Sequence, residues 1–315
     1  MAETLPLALQ LCPFSNAMEA MLEDRLWVVR WFEFSADEQA QWLSRYADQV
    51  RVVATGGHIG CPADLMRALT GLQLVAINGV GFDKVDLALA RQLGVRVSTT
   101  PGTLTDDVAD LAVGLIIAQF RRIPAADRLV RDGAWPGGEM PLARKVTGSR
   151  FGILGLGNIG GAVADRLRAF GEVAYSARRD RGNGMVYLPD PVELARWADV
   201  LVVACAATDE TRNLVDAEVL AALGPRGVLI NVARGSVVDE AALIAALASG
   251  TIEGAALDVF ADEPRVPDAL RAASNTVLTP HIASATAETR QAMADLVMAN
   301  IDAVLAGTPL PSAIA

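Results

Sequence analysis

The sequence predicts an α/β protein built from two doubly wound parallel sheets. Three observations carry that expectation. Short apolar runs alternate with helix-period segments along nearly the whole chain. A glycine-rich turn at Gly155 to Gly160 lies between one such run and a helical segment. Near Thr100 and Pro101 the alternation gives way to LTDDVADLAVGLIIAQFRRI, a long helix candidate with acids in its first turn and arginines in its last.

Taken in order, LPLALQL, LWVVRW, RVVAT, QLVAI and VRVST read as buried strands, with ADEQAQWLSRYA and KVDLALARQL as helices between them. They define a first domain over residues 1–99. A second series follows Arg150: FGILGLG, VAYS, DVLVVAC, GVLINVA, GAALDVF and NTVLTP, which places a dinucleotide-binding domain over 100–284. The closing segment, ATAETRQAMADLVMANIDAVLAG, predicts a helix within 285–315 that returns to the first domain.

Composition narrows the function classes. The chain has 315 residues, 52% of them hydrophobic, and a net charge of −10, so general attraction to nucleic acid or anionic lipid is not expected. No apolar run approaches the roughly 20 residues that span a bilayer. Three widely spaced cysteines argue against a disulfide framework or structural zinc, and two histidines exclude a multi-histidine metal centre. The opening MAETLPLALQLC carries an acid and an internal proline, unlike a signal peptide, so a cytoplasmic location is expected.

The turn itself reads Gly155, Leu156, Gly157, Asn158, Ile159, Gly160. In a strand–turn–helix context its glycines permit a tight turn, close approach of a pyrophosphate and close helix packing. The next strand ends in Ser176, where NAD-binding chains carry a carboxylate for the ribose hydroxyls. A carboxylate there would repel a 2′-phosphate by about 4 kcal/mol at about 4 Å in a partly screened site. Ser176 avoids this, and Arg178 and Arg179 offer planar donors suited to phosphate. NADPH is therefore the expected cofactor, with NADH possible. A solvated RRDR turn, with Asp180 holding the ribose, is the simpler alternative.

Three later strands each end in a polar candidate. Arg234 follows GVLIN, Asp258 and Glu263 follow GAAL, and His281 follows NTVL. Together they suit reduction of a 2-oxo acid: His281 as acid, Glu263 favouring the charged imidazole and raising its pKa, Arg234 binding the carboxylate and polarising the carbonyl.

With those residues in view, GLGNIG, NVARGSVVDE, GAALDVFADEP and TPHIASAT, joined by NGVGFDKVD and TPGTLTDDVADLAVG, resemble the NAD(P)-dependent D-2-hydroxyacid dehydrogenase family. Within it the chain looks most like NADPH-dependent glyoxylate/hydroxypyruvate reductases and their hydroxyphenylpyruvate reductase relatives. The resemblance implies a Rossmann-type cofactor domain inserted into a flavodoxin-like substrate domain, and a homodimer formed through the cofactor domain. It also implies Arg234, Glu263 and His281 as the catalytic set, with Val80 and Gly81 N–H groups holding the substrate carboxylate. Val232 and Ala233 become cofactor contacts, and Asp258 approaches the nicotinamide carboxamide. Ser284 either joins that contact or caps the final helix. Trp135 either reaches a partner subunit's substrate cleft or anchors the dimer contact. Two other functions stay open at this point: reduction of larger 2-oxo acids such as 2-ketogluconate or hydroxyphenylpyruvate, and a dinucleotide-sensing module resembling corepressors, which would need no proton donor.

Overall fold

The structure, a computed structural model, describes residues 5–182 and 184–315. The chain divides into two compact units, one comprising residues up to Leu104 with Thr286–Ala315, the other Thr105–Ala285.

In the first unit, β1 (Leu7–Gln10), β2 (Trp27–Arg30), β3 (Val50–Gly56), β4 (Leu74–Asn78) and β5 (Arg96–Ser98) form a parallel sheet in the order β2-β1-β3-β4-β5. This is the flavodoxin-like order. The connecting helices are α1 (Asn16–Glu23), α2 (Ala36–Tyr46), α3 (Ala63–Ala68) and α4 (Leu87–Leu93). Alternate residues enter different cores: Leu9, Val53 and Val75 pack on one face, Ala8, Val52 and Ala54 on the other. Burial on both faces explains the unbroken apolar runs.

The second unit begins with α5 (Thr105–Arg121) and α6 (Ile123–Arg131). Seven parallel strands follow: β6 (Arg150–Leu154), β7 (Glu172–Ser176), β8 (Val186–Tyr187), β9 (Val200–Val203), β10 (Val228–Asn231), β11 (Gly254–Leu257) and β12 (Thr276–Leu278). Between them run α7 (Asn158–Leu167), α8 (Pro191–Trp197), α9 (Ala217–Leu223), α10 (Glu240–Ser249) and α11 (Asp268–Ala272). The order β12-β11-β10-β9-β6-β7-β8 reverses direction between β6 and β9, the switch point where Rossmann-type sheets bind ligands.

The chain then returns to the first unit through α12 (Ala287–Leu305), whose Val297, Met298 and Ile301 pack in the same core as Ala8, Ala54 and Ala76. Small alanines on that sheet face leave room for the helix. The last residues cover the β5 edge: Ile314 N–H donates to Val97 O at 2.8 Å, and Val97 N–H to Ala315 O at 2.9 Å.

Two local expectations change. The helix expected through Ile123 breaks at Arg122, which adopts a left-handed φ of 53°, and restarts as α6. The final helix is capped by Thr286, whose hydroxyl accepts from Thr289 N–H, and not by Ser284. Among the described residues, no helix is long and apolar enough to cross a membrane, and no cluster of His, Cys, Asp and Glu could hold a metal.

Candidate active site

Because β10, β11 and β12 are parallel neighbours, the loops after them leave one edge of the sheet. The first loop is braced by buried Asn231. Its Nδ2 donates to Arg234 O, while its Oδ1 accepts from Ala233 N–H, both at 3.0 Å. Arg234 Nη1 donates to Ala233 O at 2.8 Å, and the side chain is half-buried. Next comes Gly235, where a Cβ would lie only 1.9 Å from the carbonyl carbon of Phe260. The β10 and β11 loops therefore touch backbone to backbone, which brings the Arg234 segment against the segment leading to Glu263.

Glu263 turns back on its own loop. Its Oε1 accepts from Phe260 N–H at 3.0 Å, and its Oε2 lies 2.6 Å from His281 Nδ1. Burial pushes the carboxyl upward, but the hydrogen bond and charge of His281, the Phe260 N–H and the charge of Arg234 outweigh it and hold Glu263 below its usual range. Glu263 is therefore an anion near neutrality, and an anion accepts only. The His281 proton at this contact sits on Nδ1. Nε2 is left as the nitrogen that can pass a proton outward.

His281 has a left-handed φ of 52°, unusual for a residue with a side chain. Asp258 holds the loop there. Fully buried at 0% exposure, it accepts at Oδ1 from the Thr279 hydroxyl (2.6 Å) and Ile282 N–H (2.9 Å), and at Oδ2 from Ala283 N–H (3.0 Å). His281 N–H donates to the Asp258 carbonyl at 2.9 Å. Both carboxylate oxygens are thus already engaged by the loop that presents the imidazole.

At the switch point, the three fingerprint glycines have separate reasons. Gly155 has φ 98°, and a Cβ there would meet the Cys205 backbone at 2.5 Å; a Cβ on Gly160 would lie 1.9 Å from Gly155 O. These two are required by the protein's own packing. Gly157 has ordinary φ and open space where a Cβ would stand, and it gives α7 no side-chain cap. Its bareness suits close approach of an external anion to the uncapped helix start. The turn therefore fits a dinucleotide pyrophosphate.

Residues 113–283 match the sequence profile described as D-isomer specific 2-hydroxyacid dehydrogenase, NAD binding domain. The chain belongs to the D-2-hydroxyacid dehydrogenase family. It is similar to hydroxyphenylpyruvate reductase of Plectranthus scutellarioides, 47% identical with 96% of each chain covered. Similarity to glyoxylate/hydroxypyruvate reductase A of Arabidopsis thaliana is 45%, with the same coverage. Among solved structures, an NADPH-dependent glyoxylate/hydroxypyruvate reductase from Sinorhizobium meliloti, crystallised with NADP and malonate, superposes with a TM-score of 0.90 at 40% identity, covering 99% of this chain and 97% of that one. This dehydrogenase is accordingly an oxidoreductase that binds a nicotinamide dinucleotide and reduces a 2-oxo acid.

Other sequence candidates fall as follows. Ser176 is buried, with its hydroxyl donating to Pro189 O at 2.9 Å. Arg178 and Arg179 are exposed beyond β7, and Arg178 pairs with Glu210 at 2.9 Å. Asp180 accepts from the Tyr175 hydroxyl at 2.5 Å and Gly182 N–H at 2.9 Å, bonds that keep it below the usual carboxylate range. Val232 is buried and Ala233 half-buried at the end of β10. Ser284 is half-buried in the turn after His281. Val80 and Gly81 occupy the bend after β4 of the first unit, and among the described residues no backbone carbonyl accepts from the N–H of either. Sequence reasoning missed Asn231, Gly235 and Thr279. The Asn-x-x-Arg-Gly spacing was the available signal for the first two.

Proposed function

We propose that this dehydrogenase reduces short 2-oxo acids, glyoxylate and hydroxypyruvate, to D-2-hydroxy acids, with NADPH preferred over NADH. The observation that carries the chemistry is the contact of ionised Glu263 with His281 Nδ1 at 2.6 Å. A reduced nicotinamide, when bound, supplies hydride to the substrate carbonyl carbon. His281 Nε2 delivers a proton to the carbonyl oxygen, and the imidazole finishes neutral, keeping its Nδ1 proton in the hydrogen bond to ionised Glu263. Arg234 binds the substrate carboxylate and polarises the carbonyl, a stabilisation of several kcal/mol as negative charge develops on oxygen. Val80 and Gly81 N–H groups, which no backbone carbonyl accepts from among the described residues, are carboxylate donors in the first unit. Asp258 acts first through the His281 loop, and Val232, Ala233 and Ser284 line the nicotinamide end.

The preference for NADPH is supported by three features at the end of β7. Ser176 carries no charge, Arg178 and Arg179 are accessible, and Asp180 is held by Tyr175. A homodimer through the cofactor unit is supported by α6 and the segment after it, where Ile123, Val130, Trp135 and Leu142 are 48%, 57%, 64% and 97% exposed. Light scattering of the purified chain at the monomer mass would reject it.

The test of activity is a steady-state panel of glyoxylate, hydroxypyruvate, 2-ketogluconate and hydroxyphenylpyruvate with each cofactor. The highest kcat/KM should fall on glyoxylate or hydroxypyruvate with NADPH; a clear NADH preference contradicts the cofactor reading. A second reading, larger 2-oxo acids, is favoured by the similarity to hydroxyphenylpyruvate reductase, and a maximum on the last two substrates would establish it.

A further inference from the structure

In the second sheet β6 lies between β7 and β9, so the loops following β7 and β9 flank the glycine turn that follows β6. One contact joins those flanking loops. Arg178, two residues beyond β7, donates from Nη2 to Glu210 Oε2 at 2.9 Å. Glu210 belongs to the short turn Asp209–Thr211 beyond β9, which is fixed by a capping box between Thr208 and Thr211. Arg178 is thus paired with an acid from the opposite side of the nucleotide turn.

We propose that Glu210 is a specificity-determining residue that competes with the cofactor's 2′-phosphate for Arg178 and so limits the preference for NADPH over NADH. This rests on the reading that Arg178 belongs to the 2′-phosphate pocket. A phosphate monoester carries between one and two negative charges near neutrality. To engage Arg178 it must displace the carboxylate or share the guanidinium with it, and the two anions repel. A 2′-hydroxyl is neutral and leaves the Arg178–Glu210 pair undisturbed. The carboxylate therefore weakens one cofactor and spares the other.

Both side chains are about three-quarters exposed, 77% for Arg178 and 76% for Glu210, so the effect is modest. Removing the carboxylate should tighten NADPH about two- to fivefold, the range set by exposed ion pairs. Screening makes the gain largest at low ionic strength.

The experiment titrates NADPH and NADH by fluorescence into the full chain as wild type, Glu210→Gln, Arg178→Ala and the double variant. Glu210→Gln should lower the Kd for NADPH about two- to fivefold and leave that for NADH unchanged. The gain should diminish with added salt and in the Arg178→Ala background. An unchanged Kd for NADPH, or an equal shift for both cofactors, overturns the proposal. The underlying reading is judged separately: it fails if wild type binds NADH more tightly and Arg178→Ala weakens both cofactors alike.

Discussion

Substituting Gly235→Ala probes how the side chains proposed for catalysis are brought together. The new Cβ would stand 1.9 Å from Phe260 C and 2.0 Å from Phe260 O, and these backbone atoms cannot swing aside as a flexible side chain can. Ordinary contact begins at 3.4 Å, so the β10 and β11 loops must separate by 3.4 − 1.9 = 1.5 Å. The movement carries Arg234, the adjacent residue, away from the loop leading to Glu263 and His281. A misplacement of about 1 Å at a reacting centre lowers rate about 100-fold, so a fall in kcat of at least that size is expected. Stopped-time assays at saturating substrate would measure it, with thermal denaturation verifying folding. The fingerprint turn lies at another part of the sheet, so the Kd for NADPH should move little. A folded variant whose kcat stays within about threefold of wild type would refute the reasoning that this backbone contact sets the alignment.

Other perturbations separate roles within the site. Asp258→Asn places an amide donor against the N–H groups of Ile282 or Ala283, a mismatch costing about 1–3 kcal/mol. As a loop anchor, Asp258 should then affect kcat much more than the Kd for NADPH; equal losses in both would favour the carboxamide contact. Glu263→Gln should lower kcat/KM about 100-fold by removing the anion facing His281 Nδ1, and an activity near wild type would contradict its role. Because folding depresses the Glu263 carboxyl, its contribution to stability is present above the unfolded value near 4.5 and is lost as pH falls through the lower folded value. The Tm difference between wild type and Glu263→Gln should therefore change in that acid window; a constant difference counts against the linkage. Burial raises Cys12, Cys61 and Cys205 to about 11, 12 and 11, so thiol reagents at about pH 8 should react slowly with the native protein and rapidly with all three thiols after unfolding. The stability linked to these raised values is lost as pH rises through them, and rapid native labelling would contradict the burial.

The local chemistry of the chain was sufficient for much of the architecture. Apolar runs such as VRVVA and DVLVV commit to strands because parallel strands are covered on both faces, and GLGNIG announces a strand–turn–helix through short-range sterics alone. Arg234, Glu263 and His281 stood out as candidates because each follows a recognisable strand. Spacing along the chain could not show that β10, β11 and β12 are neighbours, or that Gly235 lets two loops meet. It also left Ser284 between a carboxamide contact and the cap of the final helix. Tertiary structure decided the strand order, the loop contact and the cap, which Thr286 takes, and it paired Asp180 with the Tyr175 hydroxyl. Asp258 is turned inward onto the His281 loop, and Arg178 meets Glu210 across the glycine turn. The physical reason is reach. Periodicity, caps and turns are settled within a few residues, whereas a hydrogen bond or an excluded volume between distant segments exists only after the sheet order has placed them side by side.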